Sequence, residues 1–155
     1  MRNIQRLNTE MSLLCMNYRH IGDESLVSQD YRAAWKHLVT WAKDYSWVEI
    51  KSVRLPRGLN MPFSDMLVMI PGQYGYGIPL KELYVDPDLR IWCGGEWVEI
   101  PHYFDGNKKY SPNEKVRESN WRYLCLHSTK WAPGDSICTF LKQVYTYLSD
   151  PFRWD

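Results

Sequence analysis

The chain has 155 residues, 45% of them hydrophobic and 24% charged, which suffices for one well-buried core and is short for two independent ones. Its 19 basic and 18 acidic residues leave a formal net charge of +1, so the overall basic excess of a nucleic-acid-binding domain is absent. No apolar run approaches the roughly 18 residues needed to cross a bilayer, and the amino terminus lacks a signal-peptide core. We therefore expect a single cytoplasmic domain over residues 1–155, with no nucleic-acid or membrane partner.

The four cysteines show no C-x-x-C spacing, so they indicate neither a disulfide framework nor a zinc site. We expect Cys15, Cys93 and Cys138 to be small, partly buried side chains. Cys125 and His127 lie two residues apart, but two potential ligands without a second cluster do not make a metal site. The sequence predicts no metal and no cofactor.

Residues 1–30 are the part of the chain that sequence patterns assign least well. Leu7 to Tyr18 fits a short helix capped by Asn8 or Thr9, and His20 to Asp30 fits a loop. From Tyr31 onward, apolar residues recur at steps of three and four, which predicts an amino-terminal helix that flanks a sheet. The members of this stripe are Tyr31, Trp35, Leu38, Ala42 and Tyr45. We expect the core of the domain to span residues 31–151.

Three strands are predicted in the middle of the chain, over Trp47–Leu55, Ser64–Ile70 and Glu82–Val85. Turns rich in Pro and Gly separate them. The expected architecture is α+β, with a four-stranded antiparallel meander and helices packed on one side. The segment Ile91–Asn120 is long for a structureless loop, which usually indicates a functional loop or a flap.

The last third of the chain predicts a loop followed by a packed helix. Its apolar positions share one face: Ile137, Phe140, Leu141, Val144, Tyr147 and Leu148. Pro133 suits the first helical position, or else Asp135 or Ser136 caps a later start. Pro151 ends the helix. Cys125 then lies on a loop ahead of a buried helix, where a thiol is held in place and still reachable.

The order of motifs around Cys125 resembles that of the ubiquitin-conjugating enzymes. Their I-C-L-D, W-S-P, I-x-x-x-L and D-P motifs correspond to Leu124–His127, Trp131–Pro133, Ile137 with Leu141, and Asp150–Pro151. The resemblance implies the fold of that family, with Cys125 carrying a ubiquitin-like protein as a thioester. Only Phe152–Asp155 follow, so we expect the two carboxy-terminal helices of eukaryotic relatives to be lacking.

A bacterial branch of that family, often grouped as prokaryotic family E, is similar over roughly residues 47–151. The matching segments are Leu55–Asn60, Asp65–Val68, Pro71–Tyr74, Val85–Arg90, Trp121–His127 and Trp131–Asp135. The resemblance implies a ubiquitin-like protein and a ThiF-type activating enzyme as partners, and a JAB-type peptidase in the same pathway. It also implies a role in antiphage defence.

Transthiolation requires a thiolate, so the surroundings of Cys125 matter. We expect His127, Lys130 and the positive end of the following helix to favour the anion. Eukaryotic relatives have Asp at the position of His127, so this histidine either orients or deprotonates an acceptor amine, or is a surface residue. Their His-Pro-Asn motif is absent. Asn120 is too close in sequence to match its asparagine, and Asp150 matches the D-P motif. Asn120, Lys130 and Asp150 are candidate supporting residues of the site.

Two classes of function therefore remain open. One is a conjugating enzyme that passes a ubiquitin-like protein from Cys125 to an acceptor. The other is a catalytically inactive binding module of the same fold that holds a ubiquitin-like protein or a partner enzyme. The cysteine at the aligned position favours the first, and the missing His-Pro-Asn motif favours the second.

Overall fold

The computed structural model describes residues 2–101, 103–105, 113–118, 120–126 and 130–154. Its α-helices are α1 (Ile4–Met16), α2 (Tyr18–Ile21), α3 (Glu114–Arg117) and α4 (Ile137–Ser149). Short 3₁₀ helices span Glu24–Leu26 and Pro151–Trp154, and a π-helix spans Ala34–Leu38. The strands are β1 (Val39–Trp41), β2 (Trp47–Arg54), β3 (Phe63–Met69), β4 (Leu83–Val85), β5 (Ile91–Cys93), β6 (Glu96–Val98), β7 (Tyr103–Asp105) and β8 (Arg122–Leu124).

An antiparallel sheet forms the centre of the fold. Within the described residues its six strands lie in the order β1-β2-β3-β4-β8-β7, and every pairing is antiparallel. Strands β1 to β4 are consecutive neighbours, so they form a meander, which β8 and β7 extend. The α+β class with an antiparallel sheet is confirmed, and the predicted positions of β2, β3 and β4 are correct to within one residue at each end.

The segment Ile91–Asn120 contains defined elements where a long loop was expected. Strands β5 and β6 form a separate two-stranded hairpin. Gly94 and Gly95 make its turn with φ values of 61° and 85°, which glycine adopts without the penalty that a side chain brings. Strand β7 and helix α3 also belong to this segment.

The main core lies between one face of the sheet and the helices α1 and α4. Alternation along the strands sends Met66, Val68, Leu83 and Val85 to this face, and all four are at most 1% exposed. Helix α4 packs the predicted apolar positions against it, as expected from their spacing. Helix α1 adds four further core side chains: Leu7, Met11, Leu14 and Cys15.

A smaller core covers the opposite face of the sheet. Leu67 and Tyr84, which alternate with the residues of the main core, pack there with Val116 of α3 and with Trp121. Helices therefore lie on both faces of the sheet, whereas the sequence predicted them on one. Among the described residues, the helices are all too short or too polar to cross a bilayer.

The helix predicted over Tyr31–Tyr45 is wrong. Only Ala34–Leu38 is helical, and the chain then enters β1, where Val39 pairs with Ile50. β-branched side chains at positions 39 and 40 fit a strand better than a helix, and pairing with β2 decides the outcome. Tyr31 and Trp35, which were expected to face the core, are 74% and 46% exposed.

The amino-terminal helix that packs on the sheet is α1. It begins at Ile4, earlier than expected, because the Asn3 side chain caps it by accepting a hydrogen bond from the Arg6 amide at 3.2 Å. The predicted caps, Asn8 and Thr9, lie within the helix. The core thus reaches into the segment that sequence patterns assigned least well.

Candidate active-site loop

Cys125 directly follows β8, at the start of the loop that leads to α4. Leu124 is fully buried, and Leu126 packs against the main core. Cys125 itself is half-buried. Because both neighbours are anchored in the core, the backbone at Cys125 is held in place while its thiol keeps access to solvent.

The helix after the loop begins at Ile137, and Ser136 is its N-cap. The Ser136 hydroxyl accepts a hydrogen bond from the Thr139 amide at 3.2 Å, and the Ser136 amide donates to the Thr139 hydroxyl at 3.2 Å. This reciprocal pair is a capping box. Pro133 precedes the helix, in a turn where Asp135 Oδ2 accepts from the Ala132 amide at 2.7 Å.

A buried carboxylate on α1 ties this helix start to the rest of the fold. Glu10 is only 4% exposed. It accepts hydrogen bonds from the Tyr74 hydroxyl at 2.7 Å and the Ile137 amide at 2.7 Å, and its other oxygen pairs with Arg6 Nε at 2.9 Å. Burial and the bond to Glu10 raise the pKa of Tyr74 above its ordinary value, so the hydroxyl remains a donor. We call these four residues the Glu10 cluster.

The Glu10 cluster also holds the loop itself. The Arg6 guanidinium donates to the backbone carbonyl of Asp135. The Tyr74 ring packs edge-on against Trp131, with 6.1 Å between the ring centroids. Two points of the loop, Trp131 and Asp135, are therefore fixed by residues from α1 and from the loop after β3.

The positive end of α4 is engaged by Glu10. This helix end was expected to favour the Cys125 thiolate, and its first amide, that of Ile137, donates to the Glu10 carboxylate. A carboxylate at this position neutralises the field of the helix end. The helix end thus anchors the loop, and a thiolate at Cys125 would depend on other groups.

Lys130 lies in the loop itself, and Asp150 lies at the far end of the helix that follows it. The Lys130 carbonyl accepts a hydrogen bond from the Gln143 side chain at 2.8 Å, and its own side chain is exposed. Asp150 is exposed and follows the last turn of α4. In that turn the Tyr147 hydroxyl donates to the Pro101 carbonyl at 3.3 Å.

Strand β7 pairs with the residues just before Cys125, since Tyr103 lies opposite Leu124. The bond from Tyr147 to Pro101 links α4 to the chain ahead of β7. His127, the second predicted catalytic residue, lies outside the described residues.

Asn120 is at the opposite end of β8 from Cys125. Three strand residues separate the two ends by about 10 Å. Asn120 is exposed and lines a small cavity of about 120 Å³ with Glu49, Lys51, Asp65 and Trp121 on the second face of the sheet. The structure therefore does not bring Asn120 to the thiol.

The cavity beside Asn120 contains a buried ion-pair cluster. Glu49 is 6% exposed and pairs with Lys51 at 2.8 Å and Lys115 at 2.9 Å. Burial alone would raise the pKa of Glu49, but hydrogen bonds from both lysines outweigh it, and the pKa lies below its ordinary value. Lys115 also lies 4.4 Å from the centre of the Trp47 ring. These contacts fasten α3 to the sheet.

Of the other cysteines, Cys15 and Cys93 differ from Cys125 in exposure, and Cys138 falls in the same half-buried class. Cys15 is buried, and burial raises its pKa to about 11. Cys138 is half-buried, and burial followed by the charge of Glu10 raises its pKa. Cys93 is exposed, so its expected partial burial is wrong. It lies in the β5–β6 hairpin, apart from the sheet that carries the two cores.

Comparison of the chain with models of protein families, with curated proteins and with solved structures finds no match.

The Glu10 cluster was not found from the sequence. Its available signal was the i, i+4 spacing of Arg6 and Glu10, which also describes an ordinary surface pair. Tyr74 was recognised only as part of a turn motif.

Proposed function

We propose that this chain is a conjugating enzyme for a ubiquitin-like protein, with Cys125 as the thiol that carries the thioester. It would receive the protein from a ThiF-type activating enzyme and pass it to an acceptor. The observation that supports this most is the placement of Cys125: a half-buried thiol between two core-anchored leucines, on a loop held at Trp131 and Asp135.

The proposed reaction has two transfers. In the first, Cys125 Sγ attacks the carbonyl carbon of the thioester on the activating enzyme; the new S–C bond forms as the old one breaks, and the thiolate of the activating enzyme leaves. In the second, an acceptor amine attacks the same carbon, the Cys125 thiolate leaves, and the amine gives up one proton. No oxidant or reductant is consumed. His127 is proposed as the base for that proton, and Lys130 and Asp150 as charged groups beside the acceptor.

A fixed loop matters to this chemistry because both transfers need the thiol aligned with an incoming carbonyl or amine. Misplacement by about 1 Å can cost a factor of about 100 in rate. The Glu10 cluster restricts the loop without touching the reacting atoms. We therefore assign Glu10, Arg6 and Tyr74 as positioning residues.

The alternative is a binding module that has the same fold and no transfer activity. One observation favours it: the amide at the start of α4 is bound to Glu10 and is not available to an anionic sulfur. Asn120, at the far end of β8, offers no oxyanion donor to replace the missing His-Pro-Asn motif.

A charging assay separates the two functions. The chain is mixed with ATP, its cognate ThiF-type activating enzyme and the ubiquitin-like protein that this enzyme activates, then run on non-reducing gels. We expect an adduct that thiols remove on the wild type. In Cys125→Ser it should be absent or replaced by an ester that resists thiols.

The matched control is Cys93→Ser, which removes the exposed cysteine and should leave charging unchanged. A thiol-sensitive adduct that persists in Cys125→Ser would refute the assignment of the carrier. If no adduct forms while the ubiquitin-like protein still binds without a covalent bond, the binding module is the correct function.

A further inference from the structure

A groove lies on the helical side of the fold, away from the second face of the sheet. Its walls come from the end of α1, from α2, from the end of β2 and from α4. Its volume is about 590 Å³, within the range of pockets that enclose ligands or side chains of partners. Among the described residues assigned to the thioester chemistry, Cys125, Lys130 and Asp150 do not line it.

The inside of the groove is apolar. Val53 and Leu141 are 4% and 6% exposed and belong to the main core, and Ile21 packs against that core. Tyr145 lies one helical turn beyond Leu141 and is 44% exposed. A partly exposed aromatic ring beside a buried aliphatic floor is the arrangement that receives an apolar side chain at protein interfaces.

The rim of the groove is basic. His20, Arg54 and Lys142 line it, and none of the described residues that line it is an aspartate or glutamate. The Arg54 guanidinium is held in place because it donates to the carbonyls of Gly22 at 3.1 Å and Arg19 at 3.5 Å. Both of those partners are neutral carbonyls, and no described carboxylate lies within ion-pair distance of Arg54. Over the described part of the chain, Lys142 has no carboxylate within ion-pair distance.

The two cations stand on different walls of the groove. Arg54 ends β2 beside α2, and Lys142 is on α4. A ligand that reaches both must therefore carry negative charge on each side of its apolar part. This complementarity defines the chemistry of the occupant.

We propose that this groove binds a segment of a partner protein in which an apolar side chain is flanked by aspartate or glutamate. A nucleic acid fits less well, because its phosphates need a longer basic track than one groove supplies in a chain of net charge +1. A bilayer surface needs a broad convex apolar face, whereas this site is concave.

The test is a titration of the ¹⁵N-labelled full chain, followed by NMR, with a blocked synthetic peptide containing Asp-Glu-Leu-Phe-Asp-Glu. We expect amide shifts to concentrate at residues 17–21, 53–54 and 138–145. A peptide with Lys in place of every acid, and one with Ser in place of Leu and Phe, should each shift these amides much less.

Variants test the assigned chemistry. Lys142→Glu should lower the affinity for the acidic peptide about fivefold or more, because it replaces an attraction by a repulsion. Tyr145→Ser should also lower this affinity, because it removes the aromatic ring that contacts the apolar side chain of the peptide. Both positions are exposed, and circular dichroism checks that each variant is folded. Lys43→Glu is the matched control, since this exposed lysine is not part of the groove, and it should leave the affinity unchanged.

Three results would overturn the proposal: no shifts in the groove at millimolar peptide, equal shifts with the lysine peptide, or unchanged affinity in Lys142→Glu. Groove shifts caused by decanoate but not by the acidic peptide would also overturn it, in favour of a small amphipathic anion. Because no activating enzyme is used, the outcome is independent of whether Cys125 accepts a thioester.

Discussion

Removal of the buried carboxylate in Glu10→Ala should strongly destabilise the protein. The change deletes the acceptor for the Tyr74 hydroxyl, the Ile137 amide and Arg6. Hydrogen bonds to a charged group contribute about 1.5–3 kcal/mol each, and a buried donor left without a partner adds its own desolvation cost. Water entering the space recovers part of the loss, so we expect a decrease of about 3 kcal/mol in the free energy of unfolding.

For a chain of this size that loss corresponds to a fall of about 6–12 °C in Tm. Urea unfolding followed by tryptophan fluorescence and circular dichroism measures it, and coincident transitions establish two-state behaviour. Glu10→Gln keeps the shape and one acceptor oxygen, so its loss should be smaller. The control is Glu96→Ala, an exposed acid on β6, which should change stability by less than about 0.5 kcal/mol. A loss below about 1 kcal/mol in Glu10→Ala would refute the reasoning.

Three further predictions concern other parts of the fold. Because the folded state lowers the pKa of Glu49, its contribution to stability is present above the unfolded pKa of about 4.3 and is lost as pH falls through the folded value. Urea unfolding should therefore show Glu49→Gln less stable than wild type at pH 7, with the difference shrinking below about pH 4; a constant difference would contradict this. Gly22→Ala should lower Tm, since a Cβ there would lie 2.5 Å from a tyrosine ring, whereas Gly134→Ala, with open space around it, should not; equal effects would contradict the packing. Iodoacetamide mapping by mass spectrometry should modify exposed Cys93 first and buried Cys15 last; equal rates would contradict the burial.

Local patterns were sufficient where one face of an element is buried. The partial alternation in β2, the dense apolar run in β3 and the three-and-four spacing in α4 all reflect packing against the core, so these elements were predicted closely. Ser136 remained one of several possible helix starts. Its reciprocal bonds with Thr139, which depend on backbone geometry, decide between them.

Residues 34–41 show where local patterns fail. Their apolar spacing is compatible with a helix, and the pairing of β1 with β2 overrides it. The competing information is in β2, several residues further along the chain. The start of helix α1 was predicted too late for a simpler reason. Its N-cap, Asn3, precedes the residues whose apolar spacing indicated the helix.

The candidate site was only half predictable. Cys125 could be singled out as a candidate from the order of motifs around it, because the loop and the helix that follow it are close in sequence. In the Glu10 cluster, the carboxylate bonds a side chain 64 residues away and a backbone amide 127 residues away, and no local pattern shows that an acid on α1 is buried against them. One of these long-range contacts engages the first amide of α4, whose end was expected to favour the thiolate.

The most direct test of the central claim is intact-mass measurement after charging of two complementary variants. One retains only Cys125, through Cys15→Ala, Cys93→Ser and Cys138→Ser; the other lacks only Cys125. We expect the first to gain the mass of the ubiquitin-like protein through a bond that thiols cleave, and the second to gain none. Charging of the second variant, or its absence in a folded first variant while the wild type charges, would contradict Cys125 as the carrier.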